Sequence, residues 1–366
     1  MLLIAAQLPP AEAAEVILHV WYSARLTRGM LTVIDDYVRK LVADVVFKIK
    51  DKADNVLQSK KWTFGSTDIT VRLTKSQWKT LLAIIDAKPD LSKTEEERRK
   101  VVLAPHRLDC RDRELLTLPG FGRLCSARFR ETGVLAPLAW SLERFDCPNP
   151  LLFNEDDSTW LQMDSADPRN GWPMPSTLSK LHADRNAEND VNGLLYFHIR
   201  SVIERFCHRL QNPVSKVKLI LYCVDAASLP GCLGTETRAS GFDRIEVSNI
   251  ADEAYVGLAR TLGTFTPLLK SHGVNPHATL ITLFLNACEI ADRQMGNRSD
   301  SKIQSSQMKQ AMKYLPFSPR QMGTANSTEV MKMMIANDLV RDYDRIFAYY
   351  MDVVRFEATS KQAGTL

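Results

Sequence analysis

Two hydrophobic spacings alternate along this chain. From Ala11 to Leu26 and from Met30 to Leu57, apolar residues recur every three or four positions, as in Val38, Leu41, Val42, Val45, Val46 and Ile49, which predicts two amphipathic helices. Past Gly65 and Ser66 the alternating D-I-T-V-R-L predicts a strand. Thr74 followed by Gln77 reads as a capping box before a helix over Trp78 to Ile85, and Ser92 with Glu95 repeats the device. Pro105 to Pro175 is rich in Pro, Gly, Asp and aromatic residues and holds no sustained period, which predicts a long loop that wraps another surface or covers a site. Asp190 then caps an expected helix to Leu210, with Leu194, Phe197, Val202, Phe206 and Leu210 inward. A last amphipathic helix is expected from Thr328 to Phe356, and its Met331, Met333 and Met334 suit an adaptable contact surface or simple helix packing.

Between Lys216 and Asn286 the pattern changes to strand, loop, strand, helix, strand. Val217 to Val224 is a nearly continuous apolar run that predicts a strand buried on both faces, ending at Asp225. F-D-R-I-E-V-S-N from Phe242 predicts a second strand that opens into Ser248, Asn249 and Asp252. A helix is expected from Asp252 to Lys270, and Ala278 to Leu285 predicts a third strand after the Gly273 and Pro276 turn. The fold class is therefore α/β: an incomplete Rossmann-like sheet preceded by a large, mainly helical and loop-rich portion. Four regions follow: a helical region with a short strand pair at 1–104, a loop-rich insertion at 105–189, an α/β core at 190–295, and a polar linker with a terminal helix at 296–366. In open α/β sheets ligands sit beyond the carboxyl ends of the strands, where Asp225 and Ser248 to Asp252 would lie.

D-A-A-S-L-P from Asp225, the F-D-R-I-E-V-S-N strand and a helix ending in L-L-K together resemble the second half of a class I S-adenosylmethionine methyltransferase. The resemblance implies that Asp225 caps the adenine and that the strand at Asp243 runs beside the methyl donor. Candidate cofactor-binding residues are therefore Asp225, Ser228, Leu229, Asp243, Ser248, Asn249 and Asp252, with S-adenosylmethionine as the cofactor. Asp225 can accept a hydrogen bond from an exocyclic amine, and Asn249 offers both a donor and an acceptor. Asp225 equally suits a plain strand end that caps the following turn.

Five longer phrases resemble one fungal family that carries a domain of unknown function, sometimes beside a MYND-type zinc finger. They are L-A-P-H-R-L-D-C-R-D-R from Leu103, F-R-E-T-G-V-L-A-P-L from Phe129, M-D-S-A-D-P-R-N-G-W from Met163, F-D-R-I-E-V-S-N-I-A-D-E-A-Y-V-G from Phe242 and N-P-H-A-T-L-I-T-L-F-L-N-A from Asn275. That domain is distantly similar to the methyltransferase-like amino-terminal region of dynein axonemal assembly factor 3, so the resemblance implies action in complex assembly through a protein partner. Family members carry upstream strands and a Gly-containing loop before the helix that corresponds to Leu2 to Ala6. This chain begins inside that helix, so a truncated donor site is expected, because such glycines let the backbone approach a cofactor. The strand at Val217 should then lie away from the strand at Arg244, and where upstream strands are lacking the sheet should close up, leave an exposed edge or borrow a strand from a partner.

Charge and cysteine narrow the reading further. The 47 Lys and Arg barely exceed the 43 Asp and Glu, and they interleave as in E-E-E-R-R-K from Glu95, a solvated face rather than a nucleic-acid stripe. No run reaches a membrane span's length, and the opening M-L-L-I-A-A-Q-L-P-P lacks the basic start of a secretory signal. Seven cysteines without a C-x-x-C pair argue against a disulfide framework or a zinc finger and for a reducing, cytoplasmic setting. His198, Cys207 and His208 share an expected helix, but adjacent Cys207 and His208 point apart, so no metal is expected. Gly120 and Gly122 form the only G-x-G and lack a preceding strand. Asp164 and Asp167, flanked by Trp160 and Trp172, are either paired carboxylates or a turn before Pro168. Two readings remain: a methyltransferase-like protein without catalysis that works through protein contacts, and a methyltransferase whose donor site is completed upstream.

Overall fold

Thr74 closes the capping box foreseen in the sequence: its Oγ1 accepts from Gln77 N at 3.2 Å, and Gln77 Oε1 accepts from Thr74 N at 2.9 Å, starting the helix Lys75–Asp86. The second expected box does not form. Asp90, not Ser92, caps the helix Leu91–Val102 by accepting from Lys93 N, and Glu95 turns away to Arg25 and Arg98. An Asp two residues earlier is as good a cap and leaves Glu95 free for two guanidinium groups.

The structure, a computed structural model, describes residues 1–102, 104, 115, 118–154, 159–160, 167–172, 189–296, 309–310, 313, 340 and 342–364. It is mixed α/β, with helices predominant and small sheets. Two compact units, Met1–Cys223 and Val224–Leu366, divide the chain.

In the first unit, helices Leu2–Gln7 and Pro10–Tyr22 pack against the long helix Val191–Gln211. Gln211 ties these together by donating to the Ala5 and Leu8 carbonyls at 2.8 and 2.6 Å. Strand β1 (Arg25–Leu26) pairs antiparallel with β4 (Cys147–Pro148). Strands β2 (Leu57–Phe64) and β3 (Thr67–Thr74) form a hairpin, and Gly65 at its turn has φ +56°, a left-handed conformation that suits glycine. Strand β7 (Val217–Tyr222) joins β3 in parallel, with Ile69 opposite Leu219. Short strands β5 (Phe153–Asn154) and β6 (Thr159–Trp160) also pair. Trp62, Trp78, Val42, Val45, Phe145 and Leu210 meet in the main core, and a second cluster gathers Leu18, Leu135, Leu195, Tyr196 and Ile199.

Several expectations are corrected here. The helical run from Arg28 passes through a π-turn at Asp35–Arg39 and ends at Lys48 rather than Leu57. Polar K-D-K-A-D-N breaks the spacing, and Leu57 belongs to β2. The insertion is not loop throughout: Gly120–Thr132 is helical, and Gly120 and Gly122 sit in its first turn. On the Val191 helix, Phe197 and Phe206 are 48% and 41% exposed, while Leu195, Ile199, Cys207 and Leu210 face inward. At about 100° per residue Phe197 lies some 200° around the helix from Leu195, so the two cannot share a face. Strand β7 is not buried on both faces: the successive residues Ile220 and Leu221 point to opposite faces and both are exposed, and among the described residues the strand pairs on one side only.

In the second unit, β8 (Arg244–Glu246) pairs in parallel with β9 (Thr279–Ile281), and Val247, Phe265 and Leu268 form its core with Phe242, Ile245 and Leu280. The Val217 strand and the Arg244 strand thus belong to separate sheets. The helix expected from Asp252 is confined to Leu258–Phe265, after turns at 252–257 and before a 3₁₀ turn at Thr266–Leu268. Pro267 accounts for its early end: Thr266 keeps α dihedrals, but proline has no N–H to continue the i to i−4 ladder, and the chain tightens into the 3₁₀ turn. Only Thr279–Ile281 of the third apolar run is strand. The terminal helix is described from Tyr343–Val353, breaks at Arg355 (φ +51°) and resumes as Phe356–Gln362. Met331, Met333 and Met334 lie outside the described residues. Among the described residues no helix is long and apolar enough to cross a membrane.

Candidate functional site

Asp252 is the most constrained of the seven candidates. It is fully buried; its Oδ2 accepts from Leu285 N and Asn286 N at 3.0 and 3.3 Å, and its Oδ1 from the Tyr350 hydroxyl at 3.1 Å. One carboxylate therefore joins the loop after β8, the loop after β9 and the Tyr343 helix. Burial, then the nearby Asp252 charge, pushes the Tyr350 hydroxyl up to about 12.

Ser248 and Asn249 share that loop. Ser248 is exposed in a left-handed conformation, φ +51°, which is costly for a residue with a Cβ, and its carbonyl accepts from Leu283 N at 2.7 Å. Its hydroxyl donates to Asn249 Oδ1 at 3.3 Å. Asp243, by contrast, precedes β8 and so stands at the amino end of the strand. Five extended residue steps separate it from Ser248, roughly 16 Å. It is exposed and gripped by Lys270 Nζ at 2.8 and 2.7 Å and by Asn275 Nδ2 at 2.7 Å, and these hydrogen bonds hold its carboxyl below the usual range. Asp225, also exposed, caps the 3₁₀ turn Ala226–Ser228 by accepting from Ala227 N at 2.9 Å, the turn-capping alternative stated above. Ser228 and Leu229 continue into the short helix Leu229–Cys232. The fold thus gathers Ser248, Asn249 and Asp252 in one loop and leaves Asp243 at the other end of its strand.

Sequence reasoning missed a polar cluster in the first unit. On helix Pro10–Tyr22, Glu15, His19 and Ser23 follow at successive helical turns: His19 Nδ1 lies 2.9 Å from Ser23 Oγ, and His19 Nε2 lies 3.3 Å from Glu15 Oε1. The Tyr196 hydroxyl donates to Glu15 Oε2, and Arg200 Nε lies 3.4 Å from the same oxygen. Burial pushes the Glu15 carboxyl up, but hydrogen bonds from His19 and Tyr196 outweigh it and hold the group below the usual range. Burial, then the bond to Glu15, raises Tyr196. His19 and Ser23 are fully buried, and Leu135 N donates to Ser23 Oγ at 3.2 Å, so this is a packing network rather than a nucleophile. The i, i+4, i+8 spacing of Glu15, His19 and Ser23 was the available signal.

Other candidates resolve into structural roles. Asp167 accepts from Arg169 N and pairs with the buried Arg169 guanidinium; its companion Asp164 lies outside the described residues. Among the described residues no group of His, Cys, Asp and Glu is placed to hold a metal ion. Cys207 is fully buried, and burial pushes its thiol up to about 11. Compared with protein-family models, with curated proteins and with solved structures, the chain matches none.

Proposed function

We propose that this chain is a Rossmann-like protein related to methyltransferases that performs no methyl transfer and works in the cytoplasm through contacts with a protein partner, not with nucleic acid or a membrane. The observation that carries this reading is the engagement of the candidate carboxylates. Asp252 is wholly occupied by two backbone N–H groups and Tyr350, Asp243 by Lys270 and Asn275, and Asp225 caps its own turn. A buried carboxylate with three donors already in place would have to surrender them to take a ligand, at a cost of about 1–3 kcal/mol for each group left unpaired.

A thermal melt with excess S-adenosylhomocysteine tests the claim. A ligand at 100 times its dissociation constant adds about 2.7 kcal/mol of stability, so a real donor site moves the transition upward. The expected result is no movement, together with recovery of a stoichiometric protein partner from native extract. The second reading, a methyltransferase completed by upstream residues, is favoured by the exposed, left-handed Ser248 at the carboxyl end of β8, since strained backbone gathers at functional sites. Under that reading Asp225→Ala weakens donor binding; unchanged affinity would remove it.

A further inference from the structure

The first unit holds a solvent-open cavity of about 660 Å³ lined by the Pro10–Tyr22 helix, Thr27 with the Arg28–Ile34 helix, the turn at Trp140 and Arg144, and the Val191–Gln211 helix. That volume falls within the range of about 300–1,000 Å³ usual for small-molecule sites. Its aromatic wall is ordered: Tyr196 meets Trp140 edge-on at 5.1 Å and 66°, and Phe197 at 5.1 Å and 82°. Phe197 remains 48% exposed beside it.

The charges around the cavity fall into two pairs with opposite behaviour. Glu15 and Arg200 face one another, and Glu15 also takes the Tyr196 hydroxyl. Glu12 and Arg144 line the same cavity, yet among the described residues neither has an ion-pair partner. The Arg144 guanidinium instead lies over the Trp140 and Phe145 rings, 5.6 and 5.5 Å from their centroids, which fixes it beside the aromatic wall. A ligand bearing only an anion would leave Glu12 facing it, and one bearing only a cation would leave Arg144 facing it. A ligand with both charges next to a flat apolar body satisfies the whole set.

We propose that this cavity binds a free aromatic α-amino acid, with its carboxylate on Arg144, its ammonium on Glu12 and its ring against Trp140 and Phe197. Guanidinium matches a carboxylate by two parallel hydrogen bonds, and an ammonium is a compact donor for Glu12. Aromatic rings favour the edge-to-face and offset contacts that this wall offers.

Calorimetric titration of the full chain with L-tryptophan, indole-3-propionate and tryptamine tests the assignment. L-tryptophan should bind saturably, and either truncated probe should bind at least about tenfold more weakly, since charge-assisted hydrogen bonds are the strong ones. Arg144→Gln should erase the preference for L-tryptophan over tryptamine and keep its preference over indole-3-propionate; Glu12→Gln should do the reverse. That crossover separates a lost contact from a misfolded variant, and both sites are on the surface of their helix or turn. No saturable binding of L-tryptophan at millimolar concentration, equal binding of the three probes, or the same loss for all probes in both variants would overturn the proposal.

Discussion

The Tyr350 hydroxyl reaches across 98 residues of sequence to donate to Asp252 Oδ1 at 3.1 Å, with both side chains fully buried. Asp252→Ala would leave that hydroxyl and the N–H groups of Leu285 and Asn286 without their acceptor. The expected loss is about 3 kcal/mol or more, read by chemical denaturation, against about 1 kcal/mol for Tyr350→Phe.

The same pair sets an alkaline limit. The folded state favours the neutral Tyr350 phenol, raised from 10.0 to about 12. Its contribution is therefore fully present below pH 10 and is lost as pH climbs through about 12. Tyr196 is raised in the same direction. Melts across this range should show a shallower decline for Tyr350→Phe than for the parent chain; an identical slope would rule out the linkage.

On the acid side Glu15 behaves in the opposite sense. Its carboxyl is held below the usual 4.5, so its stabilisation is present above that pH and lost as pH falls through the lower folded value. Glu15→Gln should lower stability at neutral pH and flatten the acid limb of the melting curve.

Gly133 ends the Gly120–Thr132 helix with φ +67°, and a Cβ there would come within 2.6 Å of the Ala24 Cβ. Gly133→Ala should cost about 2–4 kcal/mol, combining left-handed strain with overpacking. Gly65→Ala shares the positive φ but meets nothing within 4 Å, so the difference between the two variants measures the packing part alone.

Helix facing can be checked on the Val191 helix. Ile199→Ala, at 1% exposure, should cost about 2–5 kcal/mol, whereas Phe197→Ser, at 48% exposure and losing one ring contact with Tyr196, should cost less, about 1–2 kcal/mol. Equal losses would contradict the buried stripe described above.

What the sequence made legible was local. The Thr74 and Gln77 box, the Asp190 cap and the β3 alternation each depend on residues within one turn or strand, and each is present. The helix facing of Phe197 and Phe206 was not legible, because apolar residues around that helix exceed the one stripe that packs, and the partner surface decides which stripe is used. Val217 to Tyr222 looks like a central strand because its residues are apolar, yet strand position in a sheet depends on distant neighbours that composition does not encode. Of the candidate site, the carboxyl-end loop of β8 was readable from Ser248 to Asp252, while the Tyr350 partner was not, since nothing in the local pattern marks a hydroxyl so far along the chain.

The parallel pairing of β3 with β7 also sets a schedule for synthesis. The Thr67 hydroxyl donates to the Leu210 carbonyl across 143 residues, just before β7 begins. At about 5–20 residues per second, the β2–β3 hairpin leaves the ribosome roughly 7 to 30 s before its third strand exists. A two-stranded hairpin is only marginally stable in water. For that interval the nascent chain presents an open hairpin edge, and a chaperone that shields it would act before the first unit is complete.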